Sequence, residues 1–242
     1  MEFKVYPYPA YEQCTPFIFN RNSNSFQRNV VHRRRYSILS VGLDNGKVKI
    51  EGGLKREIVG YRLPNRKNLI DYLVKLDSKS DLLEYINNTY VLPTFSLSRE
   101  EAFIKVTIRQ LISAKHAKRL ISDFIKEFGT KKNNLFTFPT ISRLNRLTLS
   151  ELKNLGLGFK SERILNGIKE FHKVDQIKGI GSWSKQILLL ENKKNYSYYP
   201  FEDMSGERIR KMFNIDLYEL SKTNRILAGD IYLYSVSFLE NN

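Results

Sequence analysis

The chain is poor in residues that cross-link or ligate. A single cysteine, Cys14, stands among 242 residues, which excludes a disulfide framework, a four-cysteine zinc site and an iron–sulfur cluster held by this chain alone. The three histidines, His32, His116 and His172, lie far apart without metal-ligand spacing, so no zinc site is expected. No apolar run approaches the roughly 18 uninterrupted residues of a membrane span. The opening MEFKVYPYPAYEQC carries neither a basic n-region nor an apolar h-region. A soluble, intracellular chain is expected, cytoplasmic or nucleoid-associated, or nuclear in a eukaryote, with no membrane partner. Acidic residues are scarce as well: 25 Asp plus Glu against 40 Lys plus Arg leave a net charge of +15 and a pI near 9.7.

What remains is ample for a core. Hydrophobic residues make up 41% and aromatics 12%, which argues against global disorder. The positive surplus bears on partners more than on fold and suits a polyanion, nucleic acid first. Residues 1–66 hold twelve Lys and Arg against five Asp and Glu, a net +7, and the rest of the chain carries +8. The run His32-Arg33-Arg34-Arg35 suits phosphate contacts, or equally a solvated strand edge kept from pairing by its charge.

Pattern divides the chain near residue 66. Tyr36–Leu43 and Lys47–Glu51 are β-rich runs flanking Asp44-Asn45-Gly46, a tight-hairpin signal. Glu57–Leu63 reads as a further strand ending at Pro64. Beyond Pro64 the spacing turns helical, with Leu69, Ile70, Leu73, Val74 and Leu76 on one stripe and a short helix over Asp81–Asn88. Ser98 and Glu101 have the spacing of a capping box, and they open a periodic segment that closes at Gly129. Thirty residues is long for one globular helix, so a break near Arg109–Ser113 is expected, with Ser113 capping the second piece. Thr148 and Glu151 form a second box, with Gly156 as a stop. Further helices are expected at about 160–170, 183–191, 204–213 and 225–239. The fold class is α+β: a small antiparallel β-rich front over 1–66, then an all-α body over 67–242.

The most informative stretch is Ile177-Lys178-Gly179-Ile180-Gly181-Ser182-Trp183. A helix end containing Val174 and Ile177 runs into two glycines one apart, then into an amphipathic helix with Ile187, Leu188, Leu189 and Leu190. Such a turn permits close backbone approach. The helix start behind it offers unpaired N–H groups and a partial positive charge to a phosphate. Contacts of that kind hold a strand without reading its sequence, although a plain tight turn fits the same residues. Downstream, Tyr199-Pro200-Phe201-Glu202-Asp203-Met204 leads into a helix at whose N-cap Asp203 stands. A simple capping role for Asp203 is compatible with a chemical one, and Glu202 is the neighbouring competitor.

Taken together, IKGIGSWSKQILLL and YPFEDMSGERIRK resemble the helix-hairpin-helix DNA glycosylase superfamily with its closing catalytic aspartate. The Gly-Ile-Gly-x-Trp form and the spacing to Asp203 resemble the 3-methyladenine DNA glycosylase II (alkylbase) branch most closely. IRQLISAKHAKRL resembles the segment that follows the family's first capped helix. The resemblance covers residues 98–239 well and the β-rich front loosely.

That resemblance implies a hairpin over about 174–192 and a catalytic Asp203, matched by its distance from the hairpin and by Arg208 five residues on. It implies a monomer acting on damaged double-stranded DNA without a cofactor, by flipping a nucleotide out and cutting its N-glycosidic bond. Gln110 and Leu111 match the segment that enters the duplex, with Leu111 filling the gap left by the extruded base, unless it is an ordinary core leucine. Lys178, Gly179, Ile180, Gly181, Ser182 and Lys185 are the expected DNA contacts. The carbonyls of Ile177 and Gly179, with Ile180 beside them, are the expected carriers of a monovalent cation.

Trp183 occupies the position where bifunctional relatives have a lysine, so no Schiff base is expected there, and water becomes the nucleophile. A Trp face suits a cationic alkylated base, though Trp183 also suits core packing. Ile187, Tyr232 and Tyr234 complete the expected base pocket. Leu233-Tyr234 replaces the aromatic pair expected of the alkylbase branch, and Ala228-Gly229 has an 8-oxoguanine-glycosylase character. Three readings therefore stand. The first is a monofunctional glycosylase for alkylated purines. The second is an 8-oxoguanine glycosylase with lyase activity through Lys185, which lies about 200° around the helix from Trp183. The third is a non-catalytic helix-hairpin-helix DNA-binding protein.

Overall fold

A computed structural model of the chain describes residues 4–8, 18–20, 25–32, 35–44, 47–52, 63–76, 80–93, 95–170 and 177–241. Among them the front is an antiparallel sheet of β2 (Ile18–Asn20), β3 (Ser25–His32), β4 (Arg35–Asp44) and β5 (Lys47–Glu51), hydrogen-bonded in that order. The β4–β5 hairpin falls where Asn45-Gly46 marks it, with Asp44 opposite Lys47. Two residues of the basic run are strand residues: His32 and Arg35 form the last rung of the β3–β4 ladder. Phe26, Leu39 and Val41 are buried on the sheet's inner face, whereas Tyr36 and Ile38 are exposed on the other, the alternation a half-buried sheet requires. The run over 57–62 lies outside the described residues. A strand that the pattern did not single out, β1 (Lys4–Tyr8), pairs in parallel with β6 (Thr89–Pro93), Lys4 opposite Thr89 and Tyr8 opposite Pro93.

The remainder is helical, apart from a two-stranded ribbon of β7 (Lys131–Lys132) and β8 (Leu135–Phe136). In order come α1 (Arg66–Lys75), α2 (Ser80–Asn88), α3 (Arg99–Arg109), α4 (Ala114–Phe128), α5 (Ile141–Leu144), α6 (Leu149–Asn154), α7 (Lys160–Lys169), α8 (Ser182–Lys193), α9 (Met204–Phe213), α10 (Leu217–Thr223) and α11 (Arg225–Asn241). The expected break is present: α3 stops at Arg109 and the Ser113 side chain accepts from the His116 N–H to start α4. The Thr148–Glu151 box is complete. Among the described residues no helix is long and apolar enough to cross a membrane.

α3 is the central element, buried from Glu101 to Ile108 and wrapped by α4, α7 and α8. Its capping differs from the reciprocal box expected. Ser98 Oγ accepts from the Glu101 N–H at 3.2 Å, but the Glu101 carboxylate takes the Arg28 guanidinium in a bidentate pair at 2.9 and 3.0 Å and Lys105 Nζ at 2.9 Å. Burial pushes the Glu101 carboxyl up, but the two cations overcome this and hold it at about 2. Beside this pair, Asn29 donates to the carbonyls of Lys132 and of Leu135, the latter at 2.7 Å. The sheet is thus tied by polar side chains of β3 to the start of α3 and to β8.

Candidate active site

Three structural facts converge near the C-terminal end of α3. The first is Leu111, which follows the α3 cap. It holds φ +58, a left-handed conformation costly for a leucine, and its residue surface is 89% exposed. An ordinary core leucine is ruled out by that exposure. A bulky apolar side chain is thus held out in water on a left-handed backbone.

The second is the turn 177–181. Ile177 and Ile180 are buried, while Lys178, Gly179, Gly181, Ser182 and Lys185 are exposed. The Ile180 side chain therefore anchors the turn in the core. Gly179 has φ +89, and a Cβ there would lie 2.0 Å from Arg163 Nη2. Only glycine fits. No side chain caps α8 at Gly181, so its first-turn N–H groups are left for an outside acceptor such as phosphate. The Ile177 carbonyl accepts from the Ile180 N–H at 3.1 Å and the Gly179 carbonyl from Gln110 Nε2 at 3.1 Å. Val174 and the helix expected before the turn lie outside the described residues.

Gln110, just before Leu111, reaches the tip of this turn. Its side chain is buried and occupied: besides Gly179 it donates to Ser184 Oγ at 2.7 Å, and Arg163 donates to its Oε1.

The third fact is the setting of Asp203, the N-cap of α9. Oδ1 accepts from the N–H groups of Ser205 and Gly206 at 2.9 and 3.0 Å. Oδ2 accepts from Trp183 Nε1 at 3.3 Å and from the Tyr199 hydroxyl. Capping takes one oxygen, and the other is left to Trp183 and Tyr199. Glu202 is exposed one residue away and has none of these donors among the described contacts. A carboxylate has about four lone-pair positions, and four donors aim at this one. Asp203 and Trp183 are both partly exposed, so the pair opens to solvent.

A buried aromatic layer supports it. The Tyr199 ring stacks on Tyr232 with centroids 3.8 Å apart, and Tyr196 and Phe201 flank Tyr232 at 6.2 Å each. α11 reaches this layer because Gly229 has no side chain: a Cβ there would lie 2.7 Å from the Ser197 nitrogen. Tyr232 is only 2% exposed and meets Asp203 through Tyr199. Ile187, one helical turn beyond Trp183, is buried. Tyr234 does not join this group: fully buried, it donates its hydroxyl to the Thr89 carbonyl at 3.3 Å, and burial pushes that phenol up. Two positions along a helix turn a side chain by about 200°, which is why Tyr232 and Tyr234 part company.

Sequence reasoning missed four residues of the site: Tyr199, Arg163, Ser184 and Arg109, whose guanidinium lies 5.9 Å from the centre of the Trp183 ring. Only Tyr199, four residues before Asp203 in a tyrosine-rich loop, left a local signal.

No protein-family model matches the chain, and no curated protein matches it by sequence. Solved structures do match. A 3-methyladenine DNA glycosylase from Archaeoglobus fulgidus superposes with a TM-score of 0.72 at 21% identity, covering 97% of this chain and 92% of its own. MBOgg1 in complex with a low-affinity DNA ligand gives 0.65 at 15% identity over 96% and 91%. The 8-oxoguanine glycosylase/lyase of Clostridium acetobutylicum, bound to duplex DNA with cytosine opposite 8-oxoguanine, gives 0.62 at 13% over 96% and 90%. The chain has the fold that these DNA glycosylases share, along nearly its whole length.

Proposed function

We propose that the chain is a DNA N-glycosylase that extrudes a damaged purine from the duplex and hydrolyses its N-glycosidic bond, leaving an abasic site. The observation that carries this is the Asp203 carboxylate, fixed by four donors beside a hairpin free to take phosphate and a leucine held out in solvent. The shared fold supports the reaction class. The two-part layout, with residues 1–66 as front and 67–242 as the body that bears the site, belongs to the same proposal.

The chemistry follows from the geometry. As the C1′–N bond breaks, its electron pair leaves with the base and C1′ becomes electron-poor. A fixed anion nearby stabilises that charge without reorganising. Water attacks C1′, and its spare proton passes to solvent. Because the acceptor positions of Asp203 are already filled, the residue serves as a charge partner more than as a proton acceptor. Trp183, not a lysine, donates to the carboxylate, which favours water over an amine nucleophile. The alkylbase-type spacing and the indole face favour a purine alkylated at a ring nitrogen, which is cationic and leaves readily.

One observation favours a second substrate. Arg109 stacked toward Trp183 places a cation where a cationic base would sit, and an uncharged oxidised purine such as 8-oxoguanine avoids that repulsion. A single experiment separates the readings. Duplexes carrying one lesion each are incubated with the protein, and strand breaks are compared with and without alkali. Breaks only after alkali, from 3-methyladenine or 7-methylguanine, are expected. Breaks without alkali restore the lyase reading through Lys185, and an untouched lesion panel removes the enzymatic reading altogether.

A further inference from the structure

Gln110 sits between the exposed leucine and the glycine turn. Its backbone closes α3 with φ -59 and ψ 131, and the next residue is Leu111 at φ +58. Its side chain reaches across to three other places at once: the Gly179 carbonyl at the tip of the turn, Ser184 Oγ in the first turn of α8, and the Arg163 guanidinium on α7. Ser184 is only 4% exposed and Gln110 only 8%, so the contact between them is shielded from water and strong for its kind. Arg163 in turn lies flat against Gly179, at the place a Cβ would need, and packs over Phe159 at 5.4 Å.

We propose that Gln110 and Arg163 are positioning residues that lock the base-displacing Leu111 to the phosphate-gripping turn, so that grip and displacement work as one rigid unit. This rests on the glycosylase reading above and adds to it: neither side chain touches DNA, yet both govern how far the leucine advances when the turn engages phosphate. The left-handed backbone at Leu111 explains the need. A strained conformation persists only where its surroundings over-determine it, and the Gln110 side chain is the nearest fixed point.

The test uses the full chain and duplexes containing 2-aminopurine beside a tetrahydrofuran abasic analogue, read by fluorescence as the base unstacks. Gln110→Ala, Arg163→Ala and Leu111→Ala are compared singly and in pairs. Gln110→Glu is included because it keeps the side-chain size and an acceptor for Arg163 while losing the donation to Gly179. Each bracket variant is expected to lower the unstacked signal by about tenfold or more, since small misplacements cost that much, while affinity for undamaged duplex stays within about twofold because phosphate contacts dominate it. Added to Leu111→Ala, a bracket variant should cost nothing further, as linked residues are non-additive. Effects that multiply, or undamaged-duplex affinity falling as far as the unstacked signal, overturn the proposal. A wild-type chain that leaves 2-aminopurine stacked sinks the glycosylase reading and this proposal with it.

Discussion

The ring of Tyr199 stacks on Tyr232 at 3.8 Å while its hydroxyl donates to Asp203, so the face of one tyrosine is fixed by packing and its edge is spent on the carboxylate. Tyr199→Phe keeps the stack and removes the donor. A hydrogen bond to a charged group is worth about 1.5–3 kcal/mol, so base release under single-turnover conditions should slow about tenfold to a hundredfold. An unaltered rate would remove Tyr199 from the site.

Asp203→Asn retains a good N-cap for α9 and should leave the fold and duplex binding intact. The anion is lost, and removal of one well-aimed electrostatic group typically costs about a hundredfold to a thousandfold. Base release measured beside binding by gel shift checks this, and full activity in the variant would defeat the assignment.

Leu111→Gly should separate stability from function. Glycine relieves a left-handed strain of roughly 1–2 kcal/mol and gives back about 0.4–1 kcal/mol in unfolded-chain entropy. The melting temperature should therefore hold or rise by a few degrees, at about 2–4 °C per kcal/mol for a chain of this size. Lesion excision should fall over the same comparison. A lower melting temperature with normal excision would contradict both halves.

Glu101→Gln leaves Arg28 and Lys105 buried without their counter-charge, and losses of this kind run to about 3–5 kcal/mol. The wild-type pH dependence has a definite sign. The carboxyl sits at about 2 in the folded chain against an ordinary 4.5, so its contribution is complete above the ordinary value. It drains away as pH falls from there through about 2. Glu151, held at about 2 by the Arg143 guanidinium and by Thr148, has the same window. The difference between wild-type and Glu101→Gln urea titrations across pH 2–6 isolates the Glu101 share, and parallel curves would refute it.

Legibility followed range along the chain. The place of Asp203 at the start of α9 was readable because N-capping is local. The α3–α4 break was readable from Ser113 for the same reason. The Arg28–Glu101 pair joins residues 73 positions apart, so the local capping pattern at Ser98 pointed the Glu101 carboxylate the wrong way. β6 is five residues ending in a proline, and its partner is a strand at the other end of the front, which no periodicity records. The inward turn of Gln110 was hidden for a related reason: the adjoining leucine faces solvent, but a reversal of φ between neighbours sends their side chains in opposite directions.

The parallel pairing of β1 with β6 has a practical consequence. A scissile cut or expression boundary placed after residue 66 would strip β1 of its only ladder partner among the described strands and expose the sheet-forming edge of each fragment. The two pieces are therefore not modules to be swapped between homologous chains, and a fusion partner attached ahead of Lys4 sits on a strand whose loss would be felt at α11, against which β1 and β6 both lie.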